Sequence, residues 1–458
     1  MNKLQYTFLT AIICCLLLTG CDKYLDITPK GKSLLTTVTD YDQWLNDPVL
    51  SYGLGNPSFA VNYFGDNVDV TNLSSIPVTL GELIYTWAPQ FSTDLKTTPL
   101  NWGFHYEVIN KFNTVLNGID DATGGTSSQK RSLKAEALLG RALEYFGLVN
   151  EYGNAYDSAT ANSDLAVPFV TSNDVAQTVP PRSSVAVIYN HIIEDLNAAL
   201  PDLPEDNSGN RYRGSKAAAY SLLARTYFYA RNYTDARKNA ELALKNTRAV
   251  MIDYNSTLPS TAGLFSVKPD VIYGRYLETI LTPTLDFMRT FASNDLRVKK
   301  FFISTDNFTY TARGGTTFYP TTATPYLKFI NTGTSVPEMI LIAAEGAARN
   351  NDLPAALQQL DNIRKYRFAT ASYVPYQSTN QDSVLQAVFQ ERSHELIYNE
   401  LRWFDMRRLD KENRMDTIKR YDAQKNVVAT LSPHSPHYTL QIPIQVLNFN
   451  PDMPQNPY

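Results

Sequence analysis

The sequence is poor in the residues that most reactions need. It has three cysteines in 458 residues, and two of them, Cys14 and Cys15, lie inside an apolar run near the N-terminus. Beyond that run only Cys21 remains, so the rest of the chain can form no internal disulfide and offers no general thiol chemistry. Histidines number five. His434 and His437 stand three apart between prolines with no other ligand near them in sequence, which reads as a polar surface loop and not a metal site. No glycine-rich phosphate loop, GxSxG elbow or HExxH is present, so no cofactor is implied. A strong excess of either charge is also missing. The formal net charge is −4 with no dense basic run, which argues against nucleic acid as the main partner, because phosphate neutralisation needs clustered Lys and Arg. The apolar stretch Phe8–Leu18 is shorter than the ~20 residues of a membrane span.

What is present suits a folded body: 43% apolar residues with mixed charge are enough to bury a core. The start is informative. Lys3 supplies a short positive region, Phe8–Leu18 an apolar one, and Leu18-Thr19-Gly20-Cys21 follows. This order reads as an export signal, residues 1–20. The ending LTGC resembles a bacterial lipobox, which implies cleavage before Cys21 and lipidation of its thiol. A lone cysteine at the first mature position fits an acyl anchor, with the body outside the bilayer but held on it. The stretch DKYLDITPKGK then reads as a polar tether.

Residues 33–101 are rich in Asn, Gly, Pro and Thr and read as loops with short helical pieces. Apolar spacing predicts helices over Trp102–Ile119, Leu133–Asn150 and about Ser184–Leu200, the last with Ser183 or Ser184 as N-cap and Pro201 as stop. Over 215–245, Tyr220, Leu223, Ala224, Tyr227, Ala236, Ala240 and Ala243 follow the spacing of a tetratricopeptide hairpin reversing at Ala230–Tyr233. The register recurs at Ile340, Ala343, Ala344, Ala347, Ala356, Leu360 and Ile363, with Asn350–Asp352 as its turn. The copies are not contiguous. Residues 250–335 intervene, rich in Thr, Tyr, Phe and Gly, and an insertion that long is usually functional. The expected fold is all-α: a tetratricopeptide-like helical-repeat (α–α superhelix) scaffold with large irregular loop insertions, in one domain over 21–458. From about Asp410 the chain reads as irregular and Pro-rich. Tyrosines number 29. Each buried hydroxyl needs a partner, so many are expected at the surface or in grooves.

The stretch ERSHELIYNELRWFDMRRL, residues 391–409, concentrates charge. On a continuous helix Glu391, Glu395 and Arg402 share one face. Two carboxylates at that spacing invite a glycosidase reading. Yet adjacent turns point both the same way, and the arginine would keep both ionised, the wrong state for a general acid. The reading adopted is an ion network that pins this helix among its neighbours, with Leu396, Trp403 and Phe404 in the core. No catalytic residue is assigned.

This stretch, the LTGC ending, the repeated hairpins and the closing IPIQVLNFNPDMPQNPY together resemble the SusD/RagB family of outer-membrane nutrient-binding lipoproteins. The family pattern, roughly E-R-x-x-E-L-x-x-E-G-x-R-W-x-D-L-x-R, falls on Glu391, Arg392, Glu395, Leu396, Arg402, Trp403, Asp405 and Arg408. It departs at Asn399 (usually Glu), Glu400 (usually Gly) and Met406 (usually Leu). Asn294-Asp295-Leu296-Arg297 lies near the family's Asp-Pro-Arg. The resemblance implies a non-enzymatic protein, lipid-anchored in the outer membrane and facing the cell exterior. It would capture a glycan or other nutrient and deliver it to a partner SusC-like TonB-dependent transporter. The family's ligand contacts lie outside its motifs. Loop position and residue type therefore single out Tyr63, Asp66, Asn67 and Trp87 in the first loop region and Tyr273, Tyr276 and Tyr319 in the insertion. Aromatic faces suit the C–H patches of sugar rings, and polar neighbours fix orientation. Trp102, which opens a helix, is expected in the core. The alternatives are a lipid-anchored scaffold that binds only proteins, and capture of peptides in place of glycans.

Overall fold

The computed structural model describes residues 35–458 apart from 54–59, 71–72, 258–267, 279–280, 305–317 and 321–328, with backbone only at 60, 278, 303–304, 318–320 and 329. Cys21 lies outside the described residues, as do parts of the insertion and the side chain of Tyr319.

Among the described residues, nine helices build the scaffold: α1 (Trp102–Gly118), α2 (Ser127–Tyr152), α3 (Val185–Ala199), α4 (Lys216–Tyr229), α5 (Tyr233–Asn246), α6 (Val336–Arg349), α7 (Leu353–Arg364), α8 (Gln381–Glu395) and α9 (Leu401–Asp410). Each of α1 to α7 lies against the next, and α8 covers α6 and α7. Side-chain oxygens cap the N-termini of α2 to α8. Thr126 and Gln129 form a reciprocal capping box on α2, and Ser184 caps α3, satisfying amides that have no partner inside the helix.

The repeat is structural. The α4–α5 hairpin turns through Arg231 (φ 60°) and Asn232, whose side chain accepts from Asp235 N–H; the α6–α7 hairpin turns through Asn351 (φ 59°) and Asp352, which accepts from Ala355 N–H. Ala224, Ala236, Ala240 and Ala243 in one copy, and Ala344, Ala347, Ala356 and Ile363 in the other, are fully buried. Where the copies meet, α5 crosses α6 at Gly346. A Cβ there would come within 2.9 Å of both Arg237 Cβ and Tyr233 O, so the close approach requires the glycine.

The described parts of the insertion hold more regular structure than its sequence suggests. Short antiparallel pairs join Val68–Asp69 to Thr282–Pro283, Tyr276–Glu278 to Phe329–Asn331, and Phe302–Ser304 to Phe318–Pro320, the last pair holding the backbone of Tyr319. A second apolar core lies beneath, with Ile252, Tyr254, Leu281, Met288, Phe301, Phe302 and Tyr398. The C-terminal region, expected to be irregular, contains a hairpin of Ile418–Tyr421 with Val427–Leu431.

Two further expectations are corrected. The stretch 391–409 is not one helix: α8 ends at Glu395 and α9 begins at Leu401. Tyr398 (φ 61°) and Glu400 (φ 69°) reverse the backbone between them. Asn62 clamps this elbow, donating to Tyr398 O at 2.7 Å and accepting from Glu400 N–H at 3.2 Å. Glu400 occupies the position where the family pattern has glycine, which is the residue a left-handed backbone favours. Nor do the tyrosines gather at the surface. Tyr145, Tyr152, Tyr189 and Tyr229 are buried, with hydroxyls bonded to Val170 O, Leu100 O, Asn150 Oδ1 and Asp405 Oδ1, so the polar atom is satisfied inside. Trp102 is in the core.

Candidate ligand-binding site

The charges of the signature stretch divide into two buried networks. Glu391 meets Arg297 Nη1 at 2.7 Å and Arg364 Nε at 2.7 Å, while Glu395 meets Arg297 at 3.0 Å and Arg367 Nη2 at 2.6 Å. Asp295 completes this group, pairing with Arg297 at 2.7 Å. In the second network Asp405 accepts from Arg392 at 2.8 Å and Arg408 at 3.1 Å, and Arg408 also pairs with Glu345 on α6 at 2.6 Å. Trp403 and Phe404 are buried beside it. Burial alone would raise Glu391, Glu395 and Asp405, but the facing arginines hold all three below the ordinary carboxylate range. These acids are ionised and closed to solvent, an arrangement that joins helices and admits no sugar.

Arg402 differs. The elbow turns it away from Glu391 and Glu395 to face Asp66: Nε donates to Oδ1 at 2.7 Å and Nη2 to Oδ2 at 2.5 Å. Its side chain is 22% exposed and that of Asp66 26%, against 2% or less for Arg297, Arg367, Arg392 and Arg408. Burial would raise Asp66, yet Arg402 keeps its carboxyl below the usual value. The pair lies where two chambers of about 880 and 820 Å³ meet. Both are bordered by Asp66, Gln390, Ser393, Arg402 and Ile418, which makes them one trough.

Four regions of the sequence form it. Residues 66–69 and 284–290 make one side, tied by the pairing of Val68–Asp69 with Thr282–Pro283 and by Thr284 N–H donating to Asn67 O at 3.0 Å. The C-terminal hairpin makes the other, and α8 and α9 the floor, where Gln390 donates to Thr290 O at 3.0 Å. Arg420 holds these parts together. It is buried and donates to the carbonyls of Tyr63, Phe64, Gly65, Val68 and Tyr85, the shortest at 2.7 Å to Gly65. Its guanidinium also stacks 3.9 Å from the Tyr85 ring centre and 4.4 Å from that of Trp87. Strand alternation then turns the next residue outward, and Tyr421 is 48% exposed on the trough.

Of the residues singled out from sequence, Asp66 and Asn67 border the trough. Trp87, Tyr273 and Tyr276 do not, and at 3%, 2% and 6% exposure they present no ring face to a ligand. Trp87 donates its indole N–H to Phe64 O at 3.1 Å. Tyr273 lies 4.2 Å under Arg275, and Tyr276 packs on Tyr52 with ring centres 5.0 Å apart. These three fix loops to the scaffold, so their reading as exposed stacking surfaces is corrected. Tyr63 is half-buried between the two cores. Sequence reasoning missed Tyr421 and Arg420. Their signal was an alternating Ile418–Tyr421, turn residues Asp422–Asn426, then the β-branched Val427–Leu431. Among the described residues, no cluster of His, Cys, Asp and Glu is arranged to hold a metal.

Comparison with known proteins accords with this architecture. A family model described as "Starch-binding associating with outer membrane" (SusD-like) matches residues 23–228, and the SusD family model (SusD/RagB) matches 336–458. A SusD-like protein of Bacteroides ovatus is 26% identical over 260 residues; the match spans 53% of this chain and 43% of that protein's length. Among solved structures, a SusD superfamily protein of Bacteroides thetaiotaomicron superposes with a TM-score of 0.73 at 20% identity, covering 92% of this chain and 100% of its own. A putative sugar binding protein of Bacteroides vulgatus gives 0.71 at 21% identity, covering 93% and 99%. At such identities the likeness speaks for the fold and leaves the ligand to be argued from the site.

Proposed function

Because the chain belongs to the SusD family, we infer that it is an outer-membrane lipoprotein that captures an oligosaccharide at the cell surface and delivers it to a TonB-dependent, SusC-like transporter. The observation that carries this reading is the trough. Each chamber alone has the volume of a pocket for a drug-sized ligand, and joined end to end they suit an oligomer of several units. Its borders combine side-chain donors and acceptors with an open tyrosine, the pairing that sugar hydroxyls and C–H faces require. The wider features agree. Acylation of Cys21 would anchor the single domain 21–458, and no helix among the described residues is long and apolar enough to cross a membrane. The role is binding without catalysis, since the carboxylates at the spacing a glycosidase would use, Glu391 and Glu395, are buried in ion pairs.

Calorimetry of the soluble domain against a glycan panel tests the ligand class: binding to one oligosaccharide family without its hydrolysis is expected. A blank glycan panel beside a peptide hit would move the substrate class to peptides. Co-purification of a barrel transporter from membranes, with loss of growth on one polysaccharide after gene deletion, is the expected result for delivery. A lipid-anchored scaffold that binds only proteins would show neither.

A further inference from the structure

Among the ion pairs of the signature stretch, one opens on the trough. The remaining signature arginines are sealed among helices, but Asp66 and Arg402 are both partly open where the chambers join. Their fork-to-fork geometry occupies Arg402 Nε and one hydrogen of Nη2. Nη1 has no hydrogen-bond partner among the described residues, and each Asp66 oxygen keeps a second lone pair. Neither side chain is loose. Asp66 follows a segment whose carbonyls are held by Arg420, and the stem of Arg402 passes Gly65, where a Cβ would lie 3.4 Å from its Cγ. A fixed acceptor beside a fixed donor matches two adjacent hydroxyls, one donating to the carboxylate and one accepting from the guanidinium. Little side-chain freedom is lost on binding because the pair is already set. Tyr421 borders the same chamber with its ring half exposed.

The charges around it nearly balance, with six aspartates against seven arginines and lysines bordering the two chambers. Asp286 pairs with Arg289, Arg420 is occupied by carbonyls, and Asp422 accepts from the amides of its own turn. We propose that the Asp66–Arg402 pair is a diol clamp and Tyr421 its stacking platform, together forming a subsite for an uncharged sugar with vicinal hydroxyls. This rests on the saccharide-capture reading and sharpens it to neutral glycans.

The test is calorimetry of the soluble domain with neutral hexo- and pento-oligosaccharides and oligouronates of equal length. The variants are Asp66→Asn, Arg402→Lys, Tyr421→Ala and Tyr421→Phe, with circular dichroism confirming the fold. A neutral oligosaccharide should bind. Asp66→Asn and Arg402→Lys should each weaken it about tenfold or more, as expected for loss of charge-assisted hydrogen bonds and of the fork. Tyr421→Ala, at an exposed position that does not threaten the fold, should weaken it by up to about tenfold. Tyr421→Phe should retain it, and added salt should leave it nearly unchanged. Wild-type affinity in folded Asp66→Asn and Tyr421→Ala would overturn this inference and leave the capture of glycans standing. So would a preference for oligouronates that collapses with salt. A wild-type protein that binds no saccharide would overturn both.

Discussion

Single residues carry much of this fold because so many arginines are inside it. Arg225, Arg297, Arg367, Arg392 and Arg408 are among its largest fully buried side chains, and each is matched by a carboxylate such as Glu338, Glu395 or Glu345. Removing one partner of such a pair leaves an uncompensated charge in the interior, typically ~3–5 kcal/mol. Glu395→Gln, which keeps the shape but strips the charge facing Arg367 and Arg297, should lower stability by about that much in urea unfolding. Arg420→Met should lower it by ~3 kcal/mol or more, because several buried carbonyls lose their donor at once. It should also weaken glycan binding, since Asp66 and Tyr421 both depend on the segment Arg420 fixes. Glycines matter for complementary reasons. Gly147 leaves room for His105, whose Cε1 would sit 2.4 Å from a Cβ there.

At the scale of elements, the hairpins were legible because a helix repeats its apolar face every few residues, and because alanine at a crossing records close approach. Gly346→Val tests that approach: the branched side chain should force α5 and α6 apart, lowering the melting temperature with a loss of ~1–3 kcal/mol. The elbow between α8 and α9 was not legible as a break. Local spacing favours one helix through 391–409, and what ends it is Asn62, far away in the chain, clamping Tyr398 and Glu400. That break has a large consequence, for it separates Arg402 from Glu391 and Glu395. The C-terminal hairpin was legible in principle from its alternation and turn residues. The burial of Trp87, Tyr273 and Tyr276 was not, since loop sequence does not say which side of a loop meets the scaffold.

For the whole molecule, two buried histidines bound the pH range of stability from opposite sides. His105 lies between Glu144 at 2.7 Å and Glu151 at 3.3 Å. Burial would lower it, but hydrogen bonds to both carboxylates push it up to about 10. A raised value means the folded state holds the proton more tightly, so this contribution is complete below the ordinary histidine value of 6.5 and is lost as pH rises toward about 10. His394 is the reverse. Burial against Phe291, with Arg297 nearby, lowers it to about 2. Its neutral form therefore favours folding above 6.5, and stability is lost as pH falls below that value. The depressed carboxylates Glu391, Glu395 and Asp405 add to the acid-side loss at lower pH. Melting temperature against pH should show a plateau near neutrality with decline on both sides, and His105→Gln should flatten the alkaline limb.

The sequence by itself determined the scaffold, the repeated register and the family, because helix periodicity, capping and a linear motif are local properties that a chain carries wherever it goes. Only the tertiary structure decided where a ligand could lie. Asp66, Arg402 and Tyr421 come from three remote segments, and nothing in their spacing announces that they share a chamber. Whether an arginine is a buried rivet or an open donor depends on which distant backbone and carboxylate the fold sets beside it. Arg402 and Arg408 stand six residues apart on one helix and face different surroundings for that reason.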